Sequence, residues 1–278
     1  MSQDFLTGMA RSSHERAQRA RSVCSLAQLR ALALSSPPPL ALRLSPAGFD
    51  LIAEVKLRSP AAGQLEQSDA DLNARVTLYA RAGAAAVSIL TEPSRFDGSL
   101  EHLRAGAAAL RGLVPAMRKD FLVDPYQVWE ARAAGAGGIL VILRMLEPEA
   151  IGALLDAAVE CGLFVLLEAF DEADLRHAGQ LVDQYGSKAV LMVGVNCRDL
   201  STLAVVPGRL EALAAGLPPG VPGVAESGLE SAADAARLAQ AGFSVALVGS
   251  ALMRSADPHA LARSMLEAGR GAGLQARR

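Results

Sequence analysis

From Phe49 onward the chain repeats one unit: a short apolar run, a turn with glycine or polar residues, an amphipathic stretch, then the next run. The runs span 51–55, 86–90, 115–117, 138–142, 164–167, 189–195, 223–225 and 245–248. Helical patterning begins near Asp69, Ser99, Pro125, Glu147, Glu172, Pro207, Ser231 and Pro258. Several of these starts carry Pro, Ser, Asp or Glu, which satisfy or tolerate the free N–H groups of a first helical turn. Strands alternating with helices imply βαβ units and a parallel sheet.

Such a sheet can lie open or close into a barrel. An open nucleotide-binding sheet favours a G-x-G-x-x-G turn after its first strand. Here the first run leads into Glu54-Val55-Lys56-Leu57-Arg58-Ser59-Pro60, and no G-x-x-x-x-G-K-[ST] loop occurs anywhere. Eight runs without a dinucleotide fingerprint predict the closed form, an α/β fold of the (β/α)8 TIM-barrel type. At 278 residues the chain has the length of one barrel. Its apolar half is mostly Ala, Leu and Val, which suits helices packed on a buried parallel sheet.

The first 48 residues read differently. Residues 13–34 are rich in Arg, Ala and Leu at helical spacing, and Ser35-Ser36-Pro37-Pro38-Pro39 stops them. The expected organisation is an N-terminal helical extension over 1–48 and a barrel over 49–278. The extension either packs passively or covers one mouth of the barrel.

In a barrel the chemistry sits where the strands end, and the unusual polar residues fall there. Glu54, near the end of the first run, and Lys56, just past it, lie two apart on extended chain and point to one side. Arg118-Lys119-Asp120-Phe121 follows the third, Glu168 the fifth, and Asn196-Cys197-Arg198-Asp199 the sixth. Glu226-Ser227-Gly228 follows the seventh and Gly249-Ser250 the eighth. Any one of these is equally a structural ion pair or a solvated loop charge. Together they predict lysines and carboxylates crowded in one partly dehydrated cavity, an acid–base site. Loops after the last two strands, with a short helix opening at Ser250, are where barrels hold phosphate. Phe96 and Phe121 either pack in the core or wall the site against a flat substrate.

Other classes fall away on composition. The formal charge is −2, the arginines are scattered, and no basic run interleaves with aromatics, so no nucleic-acid partner is expected. Three cysteines and four isolated histidines show no metal-ligand spacing, so neither a metal nor a disulfide framework is expected. No secretory h-region and no apolar run of about 18 residues is visible, so the expected compartment is the cytoplasm, with no membrane association. No exposed heptad suggests self-association, and a monomer is expected.

Several segments resemble indole-3-glycerol phosphate synthase. They are Ile52-Ala53-Glu54-Val55-Lys56 with Ser59-Pro60, Leu90-Thr91-Glu92-Pro93 with Phe96 and Gly98-Ser99, and Arg118-Lys119-Asp120-Phe121-Leu122-Val123-Asp124-Pro125-Tyr126-Gln127. Leu167-Glu168, Gly194-Val195-Asn196 with Arg198-Asp199-Leu200, Ala225-Glu226-Ser227-Gly228 and Val248-Gly249-Ser250-Ala251-Leu252-Met253 continue the likeness in order. The resemblance implies cofactor-free and metal-free ring closure of a phosphorylated small molecule, 1-(2-carboxyphenylamino)-1-deoxyribulose 5-phosphate, with release of CO2 and water. It also implies roles. Lys119 is the general acid, Glu54 and Glu168 serve later proton transfers, Lys56 holds acidic groups of the substrate, and Asn196 orients the intermediate. Ser59 and Arg198 would contact anionic groups, Glu226 would position its neighbours, and Ser227, Gly228, Gly249 and Ser250 would cradle the phosphate. The chain departs from the common pattern at Ala169-Phe170, where Val-His is frequent, at Cys197, and at Ala61-Ala62-Gly63, where a further lysine is frequent. A different phosphate-binding barrel, phosphoribosylanthranilate isomerase, would be expected to use a Cys/Asp pair rather than this lysine set.

Overall fold

A computed structural model of the chain describes residues 2–59, 63–64, 72–199 and 202–276. Eight parallel strands close into a barrel: β1 (Asp50–Val55), β2 (Ala86–Leu90), β3 (Ala116–Lys119), β4 (Gly138–Ile142), β5 (Phe164–Ala169), β6 (Leu191–Asn196), β7 (Gly223–Glu226) and β8 (Val245–Val248). Each pairs with its chain neighbours, and β1 closes the ring by pairing Ala53 with Val248 and Ile52 with Ala86. Nearly every strand residue is buried, as expected when one face of the sheet meets helices and the other meets the barrel interior.

The strands run further than the apolar runs predicted. β3 continues to Lys119, β5 to Ala169, β6 to Asn196 and β7 to Glu226. The ladder extends through Leu90–Lys119, Ile142–Glu168 and Asn196–Glu226 pairs. Backbone pairing is indifferent to side-chain polarity, so a charged residue ends the apolar run without ending the strand. Side chains alternate along the continued strands, so Lys119, Glu168, Asn196 and Glu226 reach the cavity while Arg118 points outward toward Gln127.

The outer helices begin where local chemistry dictates. Asp124 caps α6 (Pro125–Ala133) in a capping box with Gln127, and Ser231 caps α10 (Ala232–Gln240) with Asp234. Ser99 opens α5 (Leu100–Ala109), and Asp171 opens α8 (Glu172–Tyr185). The remaining helices are α3 (Leu72–Arg81), α4 (Pro93–Phe96), α7 (Pro148–Cys161), α9 (Arg209–Ala214), α11 (Ser250–Arg254) and α12 (Pro258–Ala276). The single turn α4 has no counterpart among the sequence expectations. Pro93 at its start and Glu92, which accepts from Ser94 and Arg95 N–H groups, make it.

The extension forms α1 (Ser2–Val23) and α2 (Leu26–Ser35), with the break at Ser25, whose side chain and Gln28 form a capping box. Helix α2 buries Leu29 and Ala33, and Arg30 stacks over Trp129 on α6. Helix α1 lies across the mouth formed by the C-terminal strand ends. Phe5, Leu6 and Met9 join the interior cluster with Phe121, Leu140, Ile142 and Phe170. Of the two readings of the extension, the covering one is what the structure displays.

Candidate active site

One cavity opens at the C-terminal ends of the strands, beneath α1. Its wall contains Glu54, Lys56, Lys119, Glu168, Asn196, Arg198 and Glu226 from five different strands or the loops they feed. Phe96, Phe121, Ser227, Gly228, Gly249 and Ser250 complete the group predicted from sequence. The exception is Ser59: its backbone pairs with Gly63 in a small hairpin after β1, and its side chain is outside the described residues, as are Pro60, Ala61 and Ala62. Strand ends far apart in sequence thus converge because the barrel closes.

The charged groups are arranged as pairs. Lys56 bonds Glu54 through a short charge-assisted hydrogen bond. Lys119 Nζ lies 3.4 Å from Glu226 Oε2 and 4.0 Å from Glu168 Oε1. Asn196 Nδ2 donates to Glu168 Oε1 at 2.5 Å, and its Oδ1 accepts from the Arg198 N–H at 2.9 Å. Arg198 is held over the cavity by donating to the Leu203 carbonyl at 2.6 Å. Lys56, Lys119 and Arg198 therefore stand with Glu54, Glu168 and Glu226 within one pocket.

Burial by itself would strip the proton from Lys119, but Glu168, Glu226 and Glu54 outweigh it and raise its pKa above the ordinary lysine value. The group is an ammonium at any physiological pH. Burial likewise pushes Glu54 up, and Lys56 and Lys119 more than offset this, so Glu54 is held low and ionised. Glu226 goes the other way. Burial and the facing Glu168 carboxylate lift it to about 8, against the pull of Lys119. At neutral pH the pocket therefore holds a fixed cationic donor, an ionised carboxylate and a carboxyl that keeps its proton much of the time. That set can protonate an oxygen and remove a proton nearby without help from solvent.

The two ends of the cavity differ. One side is apolar, with Phe5 edge-on to Phe121 (centroids 6.0 Å apart), Phe96 tilted against the same ring at 6.2 Å, and Leu140, Ile142 and Phe170 beyond. The other side presents Ser227, Gly228, Gly249 and Ser250. Ser227 holds φ at +69°, a left-handed conformation that non-glycine residues seldom adopt, followed by Gly228 at +74°. Phe5, Leu140, Ile142 and the contribution of Phe170 to the wall are not among the sequence-predicted site residues. Leu140 and Ile142 alternate along β4 and could have been found by that period. Phe5 gives no local signal, because it reaches the site from a helix that precedes the barrel altogether.

A buried network ties α1 to the strand that carries Lys119. Asp120 accepts two hydrogen bonds from Arg16 (2.7 and 2.9 Å), one from Thr91 Oγ1 (2.7 Å), one from Arg118 (3.1 Å) and one from the Phe121 N–H (2.8 Å). Its carboxyl is accordingly held well below the usual carboxylate range, burial notwithstanding, by Arg16 and Arg118. Arg118 is buried under α6 and donates to the Gln127 carbonyl. Among the described residues no cluster of His, Cys, Asp and Glu is arranged to hold a metal ion, and no helix is long and apolar enough to cross a membrane. Cys24, Cys161 and Cys197 are free thiols.

Comparison with known proteins supplies independent information. Solved structures of similar fold include 3-hexulose-6-phosphate synthase from Salmonella typhimurium, with a TM-score of 0.63 at 17% identity, covering 81% of this chain and 100% of that one. Thiamine phosphate pyrophosphorylase from Pyrococcus furiosus gives 0.56 at 13% identity, over 81% and 97%. At these identities the likeness speaks to the barrel alone. Sequence relatives are nearer. Indole-3-glycerol phosphate synthase of Mycobacterium avium (strain 104) is 40% identical over 247 residues, 88% of this chain and 87% of that protein. The protein of the same description from Mycobacterium leprae (strain TN) is 40% identical over 253 residues, 90% and 89% of the two chains. The family model described as indole-3-glycerol phosphate synthase matches residues 9–265, a span that includes every residue of the cavity named above except Phe5. The chain belongs to the indole-3-glycerol phosphate synthase family.

Proposed function

We infer that this protein is an indole-3-glycerol phosphate synthase, a carboxy-lyase of tryptophan biosynthesis. It converts 1-(2-carboxyphenylamino)-1-deoxyribulose 5-phosphate to indole-3-glycerol phosphate, CO2 and water. One observation carries the reading: the Lys119 ammonium stands among Glu54, Glu168 and Glu226 between an apolar wall and a polar, glycine-bearing rim. A substrate with an aromatic ring at one end and a phosphate at the other matches that polarity.

The chemistry follows from the groups present. The ring carbon bearing the carboxylate attacks the ketone carbon, and the electron pair of the C=O bond moves to oxygen. Lys119 supplies the proton that this oxygen takes up, and its loss of charge is balanced by the facing carboxylates. Loss of CO2 returns the pair of its C–C bond to the ring. Elimination of the resulting hydroxyl as water needs one proton delivered and one removed, the task assigned to Glu168 and Glu54. Asn196 fixes the Glu168 carboxylate by its 2.5 Å bond, so the proton is exchanged at a defined place. Lys56, paired with Glu54, and Arg198 offer positive charge to the substrate carboxylate. Phe96 and Phe121 flank the ring, Ser59 assists at the mouth, and Ser227, Gly228, Gly249 and Ser250 take the phosphate. Glu226 sets the place of Lys119. The enzyme acts as a cytoplasmic monomer.

The test is direct. Purified protein is given the carboxyphenylamino-deoxyribulose phosphate and indole fluorescence is followed. Rising fluorescence with stoichiometric CO2 is the expected result, and its absence at micromolar enzyme rejects the assignment.

A further inference from the structure

Among the described residues, no group satisfies one oxygen at the floor of the site. Glu226 turns Oε2 to Lys119, while Oε1 is buried without a hydrogen-bond partner. That oxygen rests against the backbone of β6 at Gly194. Along β6 the inward positions are Met192, Gly194 and Asn196, so a side chain is due at 194. A Cβ built there would overlap Glu226 Oε1, stand 3.1 Å from its Cδ and meet Leu166 Cδ1 at 3.1 Å. Gly194 also pairs in register with Glu168 on β5 and Val224 on β7. The missing side chain leaves a slot on the barrel wall, level with Glu168, and the Glu226 carboxyl from the neighbouring strand fills it. The same device recurs on the next strand pair, where a Cβ on Gly249 would overlap Glu54 Oε1 and come within 2.8 Å of Lys56 Nζ.

We propose that Gly194 is a positioning residue of this reaction: the space it leaves seats the Glu226 carboxyl against β6 and thereby fixes where the Lys119 ammonium stands. With any side chain at 194 the carboxyl must leave the wall. It then moves toward the cavity axis, where Lys119 and the substrate ketone need the room, or into solvent, where it no longer holds the ammonium. Leaving the slot also hydrates Oε1, so the acid dissociates at lower pH. Gly194 touches no reacting atom; it acts through the length and place of one neighbouring side chain.

The proposal rests on the assigned reaction, and its test separates the two. Four proteins are compared: wild type, Gly194→Ala, Glu226→Asp and the double variant. Aspartate is one methylene shorter, so its carboxyl withdraws from the slot by about 1.5 Å. With Glu226 intact, Gly194→Ala should lower kcat at least tenfold, leave KM within threefold, and move the alkaline limb of the kcat profile downward. In the Glu226→Asp background the same substitution should cost less than twofold. The thermal midpoint should follow the same pattern, and it is read without substrate, so it stands even if the assigned reaction fails. Equal losses in both backgrounds, or no loss in either, overturn the proposal. If Gly194→Ala does not fold, recovery of folded protein in the double variant supports the seat, and continued failure to fold overturns it.

Discussion

Replacing Glu226 by glutamine should make the folded protein more stable and the enzyme worse, and the stability gain should grow with pH. The carboxyl is raised from an ordinary glutamate value to about 8. Between those two values the folded state holds a proton that the unfolded chain has released. The native state therefore binds more protons than the unfolded state, and stability falls as pH rises through that window. Glutamine keeps the shape of the neutral carboxyl and cannot be ionised. At about 1.4 kcal/mol per pKa unit the full shift sets a ceiling of about 5 kcal/mol on what the wild type loses by pH 9. Lys119 keeps 16% of its side chain exposed, so side-chain relaxation and water entry recover part of that, and the expected gain for Glu226→Gln is about 2–3 kcal/mol at pH 8.5. At pH 5 the folded wild type still carries its proton while the unfolded chain has released roughly three-quarters of its own, so the gain should shrink below about 1 kcal/mol. Urea melts of both proteins at half-unit steps from pH 5 to 9 measure this directly. A pH-independent difference, or a gain that is larger at pH 5 than at pH 8.5, refutes the reasoning, because either outcome means that Glu226 is ionised in the folded protein throughout.

Lys119→Ala should lower kcat by about 10²–10⁴-fold, the usual worth of a positioned proton donor, while circular dichroism remains that of the barrel; near-normal turnover would remove the general-acid role. Arg16→Ala removes two of the five hydrogen bonds to Asp120 but leaves Arg118, Thr91 and the Phe121 N–H in place. The loss should therefore be about 1.5–3 kcal/mol of stability, with KM rising more than kcat falls as α1 and Phe5 loosen over the mouth. Because Asp120 is held low, its contribution is present at neutral pH and disappears only as acid protonates it, so the gap between Arg16→Ala and wild type should stay constant down to about pH 4. Inorganic phosphate at ten times its Kd should stabilise the protein by about 1.4 kcal/mol at constant ionic strength; a melting midpoint that phosphate leaves unmoved counts against the rim at Ser227–Gly228 and Gly249–Ser250 as its binding place.

Part of this protein could be read from local pattern. Eight apolar runs spaced by helical stretches imply a parallel sheet covered by helices, and the lack of a dinucleotide fingerprint after the first run favours its closure into a barrel. The polar residues Glu54, Lys56, Lys119, Glu168, Asn196 and Glu226 announce themselves by interrupting those runs, and the block around Lys119 is specific enough to name a family. The strand ends could not be placed from the same signal, since a charged side chain at 118 or 168 halts an apolar run while the backbone ladder continues beneath it.

The state of those residues comes from contacts made across the folded barrel. A lysine and a glutamate have no fixed acidity in a sequence; closure of the ring buries Lys119 among Glu168, Glu226 and Glu54, which raise it, and buries Glu226 against Glu168, which with that burial lifts it to about 8 despite Lys119. Gly194 reads as one more small residue in β6 until the Glu226 carboxyl is seen occupying the room its side chain would need. Phe5 and Arg16 carry no mark in the chain, yet α1 brings one into the cavity wall and binds the other to Asp120, next to the proposed acid. Local pattern establishes which groups are present and which of them share a strand face, because strand periodicity is local. Their distances, charges and freedom to move depend on contacts across the whole barrel, and those exist only once the ring is closed and the first helix has settled over it.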